Sequence, residues 1–275
     1  MLEELGMEEK VKGKLMIIGG AEDKEGECVI LRKLVELAGG QGGNMVIMTV
    51  ATEYPQSIGE RYTRIFERFG IRHISVIHVD SRCHANDDEL VNKIDGATCI
   101  FFTGGDQLRI TSLLGGTKAE EKLKEAYYRG VIIAGTSAGA SVMSETMITS
   151  GNDEDAPKKC TLKMAPGLGL LRDVVIDQHF AQRGRIGRLL TAIAQNPHML
   201  GVGIDEDTAI IIDSDAVFEV IGSNAVTILD GKTLDFTNVS ELKPDEILAL
   251  TNVIMHVLPA GYKYDIKTRT PVIRR

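Results

Sequence analysis

Short apolar runs alternate with helical periodicities through the first half of the chain. Leu15–Ile18 is a β-like run ending in Gly19 and Gly20. Cys28, Leu31, Leu34, Val35 and Ala38 then recur at helical spacing until Gly39 and Gly40 stop the helix. Met45–Val50 predicts the next strand, and residues 57–69 a helix with Ile58, Tyr62, Ile65, Phe66 and Phe69 inward. Ile74–Val79, Cys99–Phe102 and Val131–Ala134 predict further strands, with helices near 87–94, 107–113 and 118–129. Continuous apolar strands divided by helices indicate an α/β fold, a mostly parallel sheet covered by helices on both faces. Beyond about residue 198 the pattern changes to short strands, Val202–Ile204, Ala209–Ile212, Val217–Val220 and Val226–Leu229, separated by tight polar turns. They are expected to form an antiparallel extension of the same domain, because no linker intervenes. Residues 1–275 therefore read as one domain, with 1–13 and 265–275 peripheral.

Parallel α/β sheets bind ligands beyond the carboxyl ends of their strands. Four turns in such positions are glycine-rich or polar: Gly19 to Glu22, Ala51 to Glu53, Gly104 to Gln107 and Gly135 to Ser137. The last belongs to a strand, G-x-S-x-G, then a helix-compatible run, the arrangement that lifts a serine hydroxyl above a sheet. Ser137 is the candidate nucleophile, and the alternative is an N-cap in a glycine-rich turn. A helix beginning there would add a partial positive charge for an oxyanion. Ala138 and the neighbouring Gly105 are the candidate oxyanion donors.

A serine hydroxyl needs a base, usually a histidine oriented by a carboxylate. Of six histidines, His179 alone lies in a polar cluster at a predicted strand end, after Val174–Ile176 and before a helix with Ile186, Leu189, Leu190 and Ile193 inward. The carboxylate comes most naturally from the strand end Gly203-Ile-Asp-Glu-Asp, where Asp205, Glu206 and Asp207 are nearly equal candidates. The order serine, histidine, acid departs from the α/β-hydrolase order, in which the acid precedes the histidine.

Composition narrows the function classes. A formal net charge of −8 and the absence of Trp disfavour phosphate backbones and base-stacking platforms, so no nucleic-acid partner is expected. The four cysteines form no C-x-x-C pair or zinc pattern, and no metal or cofactor is expected. No run of eighteen apolar residues suggests a membrane span, and the charged start MLEELGMEEKVKGK lacks a signal-peptide core. A cytoplasmic location is expected.

Three separated motifs, GGDQ, GTSAGAS and DQHFAQRGRIGRL, resemble those of the cyanophycinases, in the serine peptidase family that also contains aspartyl dipeptidase. The resemblance covers roughly residues 14–258. It implies a glutamine-amidotransferase-like (flavodoxin-like) three-layer sandwich, no metal, and a homodimer as the candidate assembly. It also implies hydrolysis of cyanophycin, a polyaspartate carrying arginine on each side-chain carboxyl, to β-Asp-Arg. Carried over by motif, Ser137 is the implied nucleophile, His179 the base and Glu206 the orienting acid. Gln107, Asp177, Gln178, Arg183, Arg185 and Arg188 are the implied substrate-binding residues. Arginine forks suit carboxylates, and the acidic turn residues Glu22, Asp23 and Glu53 suit a substrate guanidinium. For each arginine a solvated helix face is the competing reading, and Asp177 competes as an N-cap. An α-aspartyl dipeptidase is the alternative within the enzyme class. A non-catalytic nucleotide- or ligand-binding relative using Met16 to Ala21 is the alternative outside it, although that segment lacks the third glycine of G-x-G-x-x-G and the Walker lysine.

Overall fold

A computed structural model of the chain describes residues 11–153 and 155–273. The expected peripheral segments lie partly outside these, at residues 1–10 and 274–275. The first half alternates β1 (Leu15–Ile18), α1 (Val29–Leu37), β2 (Asn44–Met48), α2 (Pro55–Arg68), β3 (His73–Ile77), α3 (Asp88–Asn92), β4 (Cys99–Phe102), α4 (Gln107–Leu114), α5 (Lys118–Arg129), β5 (Ile132–Thr136) and the one-turn α6 (Ala138–Ser141). The second half holds β6 (Thr146–Gly151), β7 (Leu162–Pro166), β8 (Val174–Gln178), α7 (Ile186–Gln195), β9 (Leu200–Ile204) and β10 (Thr208–Ile212). It continues with β11 (Val217–Gly222), β12 (Ala225–Asp230), β13 (Phe236–Thr237), β14 (Leu250–Thr251), β15 (Ile254–Pro259), β16 (Lys263–Asp265) and β17 (Thr270–Val272).

The main sheet has the order β17-β16-β11-β10-β1-β5-β4-β2-β3. From β1 to β3 every pairing is parallel, whereas β10, β11, β16 and β17 add on antiparallel. The unbroken apolar strands follow from burial on both faces. In β1, Met16 and Ile18 pack with Leu31, Leu34 and Phe66 of α1 and α2. Leu15 and Ile17 join the opposite core, with Leu123 of α5 and with Val202 and Ile228 of a second sheet. This α/β architecture, helices on both faces of a central sheet, is the expected fold class.

The expected antiparallel extension needs one correction. Only part of the C-terminal strands extends the main sheet. β9, β12 and β15 leave it and join β8 in a separate four-stranded sheet, order β15-β12-β9-β8, in which β8 and β9 are parallel. Consecutive strands therefore cross from one sheet to the other, and the crossing after β9 holds Asp205, Glu206 and Asp207. The 265–273 tail is likewise structured: β17 pairs with β16 at the sheet edge.

Candidate active site

Three backbone contacts bring β10, the loop after β8 and the crossing from β9 together at the carboxyl end of β1. The Gly19 N–H donates to Thr208 O at 2.9 Å, the His179 N–H to Gly19 O at 2.8 Å, and the Asp207 N–H to Gly20 O at 2.9 Å. A single turn after β1 thus fixes the histidine-bearing loop and the acidic crossing together. Gly20 sits directly against the imidazole: a Cβ there would lie 2.3 Å from His179 Cε1. With a φ of +101°, this position is doubly restricted to glycine.

Ser137 occupies the turn between β5 and α6 at φ 55° and ψ −109°, a conformation rare for a residue with a side chain. Close backbone approach makes the turn possible. A Cβ on Gly135 would lie 2.3 Å from Gly139 O, and one on Gly139 would lie 2.5 Å from Phe102 O. The Ser137 side chain makes no cap hydrogen bond, which removes the N-cap alternative. Its Oγ instead lies 3.0 Å from His179 Nε2 and 3.4 Å from Gln178 Oε1. His179 Nδ1 lies 2.6 Å from Glu206 Oε1, completing a chain of three polar groups. Because α6 is only four residues long, little macrodipole is available, and individual N–H groups must supply any oxyanion stabilisation. Ala138 offers one, as the first amide of a helix has no intrahelical acceptor. Gly105 stands in the adjacent turn at φ +145°, where a Cβ would lie 2.1 Å from Ala51 O, and a Cβ on Gly104 would touch Ser137 Cβ at 3.4 Å.

The three candidate acids separate cleanly. Asp205 accepts the Ala181 and Ala225 backbone N–H groups at 3.0 and 3.3 Å. Asp207 accepts from Asp23 N at 2.8 Å and from the Ser223 hydroxyl. Only Glu206 turns its carboxylate to His179. Gln182 accepts the Glu206 N–H at 2.9 Å, a positioning contact that the sequence reading missed although Gln182 lies inside the long motif. Burial lowers the His179 pKa below its ordinary value, with Arg183 and Arg185 acting in the same direction and the Glu206 bond opposing them. The imidazole is therefore neutral at neutral pH and can accept a proton.

The implied substrate-binding residues divide. Arg183 is exposed, near enough to His179 to disfavour its charged form. Arg185 and Arg188 are 5% and 7% exposed, so neither lies on a solvated face. Arg188 forks onto the buried Asp177 carboxylate, with Nε to Oδ2 at 2.7 Å and Nη2 to Oδ1. Arg185 donates to Gln178 O at 2.5 Å, and both arginines reach Asp153, at 2.8 and 3.3 Å. Asp177 lies within β8, so it is no N-cap. Asp153 was not foreseen, since an aspartate in an irregular loop carries no pattern. Gln107 donates to the Ile148 and Thr149 carbonyls of β6 at 3.0 and 3.1 Å. Among the acidic turn residues, Glu22 is buried, Asp23 accepts from Glu25, Gly26 and Cys28 N–H groups, and Glu53 is exposed. No helix of the described residues is long and apolar enough to cross a membrane.

Comparison with known proteins bears on the same elements. The chain is 39% identical over 267 residues to a cyanophycinase of Geminocystis herdmanii, covering 97% of this chain and 98% of that one. It is 39% identical over 258 residues to the cyanophycinase of Thermosynechococcus vestitus, covering 94% of this chain and 80% of the relative. Against the Nostoc cyanophycinase the identity is 36% over 275 residues, covering 99% and 92%. A solved structure of a peptidase from an acI-B1 actinobacterium shares the fold, with a TM-score of 0.67 at 21% identity over 94% of this chain and 98% of that one. The sequence model of Peptidase family S51 matches residues 15–220, a span that contains the elbow, the histidine loop and the acidic crossing. The chain belongs to peptidase family S51 and is a serine-type peptidase.

Proposed function

We propose that the protein is a cyanophycinase, hydrolysing the polyaspartate backbone of cyanophycin to β-Asp-Arg through an acyl-enzyme on Ser137. The observation that carries the reading is the chain Ser137 Oγ to His179 Nε2 at 3.0 Å and His179 Nδ1 to Glu206 at 2.6 Å. The relatives named cyanophycinase, which match nearly the whole chain, support the substrate.

Neutral His179 takes the Ser137 proton as Oγ attacks an aspartyl backbone carbonyl, and Glu206 stabilises the imidazolium that forms. The Ala138 and Gly105 N–H groups receive the oxyanion. Collapse of the tetrahedral adduct breaks the peptide C–N bond, and His179 gives its proton to the leaving amine. Water, deprotonated by the same imidazole, then hydrolyses the ester and releases a free carboxylate.

Exposed Arg183 is assigned to a substrate carboxylate, and Gln178 to orienting the serine hydroxyl. Arg185, Arg188 and Asp177 serve the site indirectly, by holding the carbonyl of Gln178 beside the base. Gln107 does so by bracing β6. The acidic net charge of −8 accords with a cationic polymer as partner rather than nucleic acid, and a cytoplasmic location belongs to the same reading.

Incubation with cyanophycin and with α-aspartyl dipeptides, followed by mass spectrometry, tests the substrate. Release of β-Asp-Arg from the polymer is expected. Cleavage of dipeptides alone would move the assignment to an aspartyl dipeptidase.

A further inference from the structure

Glu22 is a buried carboxylate that the reaction above does not use. Its side chain is 1% exposed and collects donors from three directions. The Tyr62 hydroxyl of α2 donates at 2.5 Å, the Thr136 hydroxyl of β5 at 2.6 Å, and Lys24 Nζ lies at 2.9 Å. Burial and the neighbouring carboxylate push the Tyr62 phenol well above its ordinary pKa, so it remains a donor. Burying a carboxylate is unfavourable unless its lone pairs are met, and here both oxygens are met.

The location gives the cluster its meaning. Thr136 immediately precedes Ser137, and its hydroxyl points to the α1 and α2 face of the sheet, beneath the elbow. Glu22 lies two residues after Gly20, in the turn whose Gly19 carbonyl accepts the His179 N–H and whose Gly20 lies against the imidazole. The strand end carrying the serine and the turn seating the histidine are thus joined through one carboxylate. A bond from β5 to this turn constrains the separation of Ser137 Oγ and His179 Nε2.

We infer that Glu22, through Thr136, is a positioning residue that holds the nucleophile-bearing turn in register with the histidine. The inference rests on Ser137 being the nucleophile. A glutamine at position 22 keeps the size but removes the charge, so the charge-assisted bonds from Thr136 and Tyr62 become weaker neutral ones and Lys24 loses its counter-charge. Displacing reacting groups by about 1 Å can lower a rate roughly 100-fold.

The test compares native protein, Glu22→Gln, Thr136→Val and Thr136→Ser. Each is confirmed folded by its melting curve and assayed well below its midpoint. A fluorophosphonate probe, with labelling mapped by mass spectrometry, reads the reactivity of Ser137 without any peptide substrate. Glu22→Gln and Thr136→Val are expected to label about 10- to 100-fold more slowly and to lose kcat equally, with KM unchanged. Thr136→Ser, which keeps the hydroxyl, is expected to label at the native rate. A merely structural role would lower the melting midpoint and leave the folded protein's labelling rate at the native value, which would overturn the inference while leaving the nucleophile intact. Failure of the native protein to label at Ser137 would take down both readings.

Discussion

At the residue scale, His179 and its carboxylate make the sharpest claims. The imidazole must be neutral to accept the serine proton, and its pKa lies below the ordinary value of about 6.5. Activity should therefore fall as pH drops through a midpoint below about 6.5, and hold at neutral pH. The Glu206 bond opposes that lowering, so Glu206→Gln should move the acid limb to still lower pH. The same change should cut kcat/KM by roughly 10²–10⁴-fold, because the imidazolium loses its partner and its tautomer is no longer fixed. A limb that stays in place in the variant's pH–rate profile would remove Glu206 from the role. Asp205 should behave differently, since it accepts two backbone N–H groups at the sheet crossing. Asp205→Ala should lower stability by about 1–3 kcal/mol in urea unfolding, through the donors it leaves unmet. By residue pattern Asp205, Glu206 and Asp207 were nearly equal, because a run of acids says nothing about which carboxylate turns inward, and the family resemblance alone implied Glu206. In the structure the three have different partners, and Glu206 is the one whose carboxylate lies against His179.

At the element scale, the elbow works because two glycines let β5, α6 and β4 approach closely. Gly139→Ala would place a Cβ 2.5 Å from the Phe102 carbonyl, in a part of the structure with no room to yield. Overpacking of this kind costs about 1–3 kcal/mol. The variant should melt earlier and lose activity, since relief requires the turn carrying Ser137 to move. Unchanged melting and turnover would mean that close approach is not what shapes the elbow. The helices and parallel strands of the first half were legible because each apolar run is buried on both faces and each helix shows one apolar stripe. Sheet membership in the second half was not. The β9 and β10 runs look alike in sequence, yet they lie in different sheets, and the difference is set by partners distant along the chain. The short α6 was also hidden, because nothing in AGAS marks where a helix stops after one turn.

At the scale of the whole molecule, the second sheet shares a core with one face of the main sheet, and the candidate site stands where the turn after β1 joins them. Much of that site was readable because its chemistry lies at strand ends, in motifs of fixed composition. The buried ion pairs behind it were not, since Arg185 and Arg188 look like surface residues until α7 is packed against β8. Burial raises the pKa of Asp177, opposed chiefly by Arg188. Arg188→Ala would leave that carboxylate buried without its fork, and breaking such a pair costs about 3–5 kcal/mol. Urea unfolding should show a loss of this size. A loss under about 1 kcal/mol, the range of exposed pairs, would mean the pair is effectively solvated. The most direct measurement is the rate of β-Asp-Arg release from cyanophycin by native protein and by folded Ser137→Ala, side by side. Acyl transfer through Ser137 requires release by the native protein and a fall of at least about 10⁴-fold in the variant. Release by Ser137→Ala at a rate near the native one would contradict it.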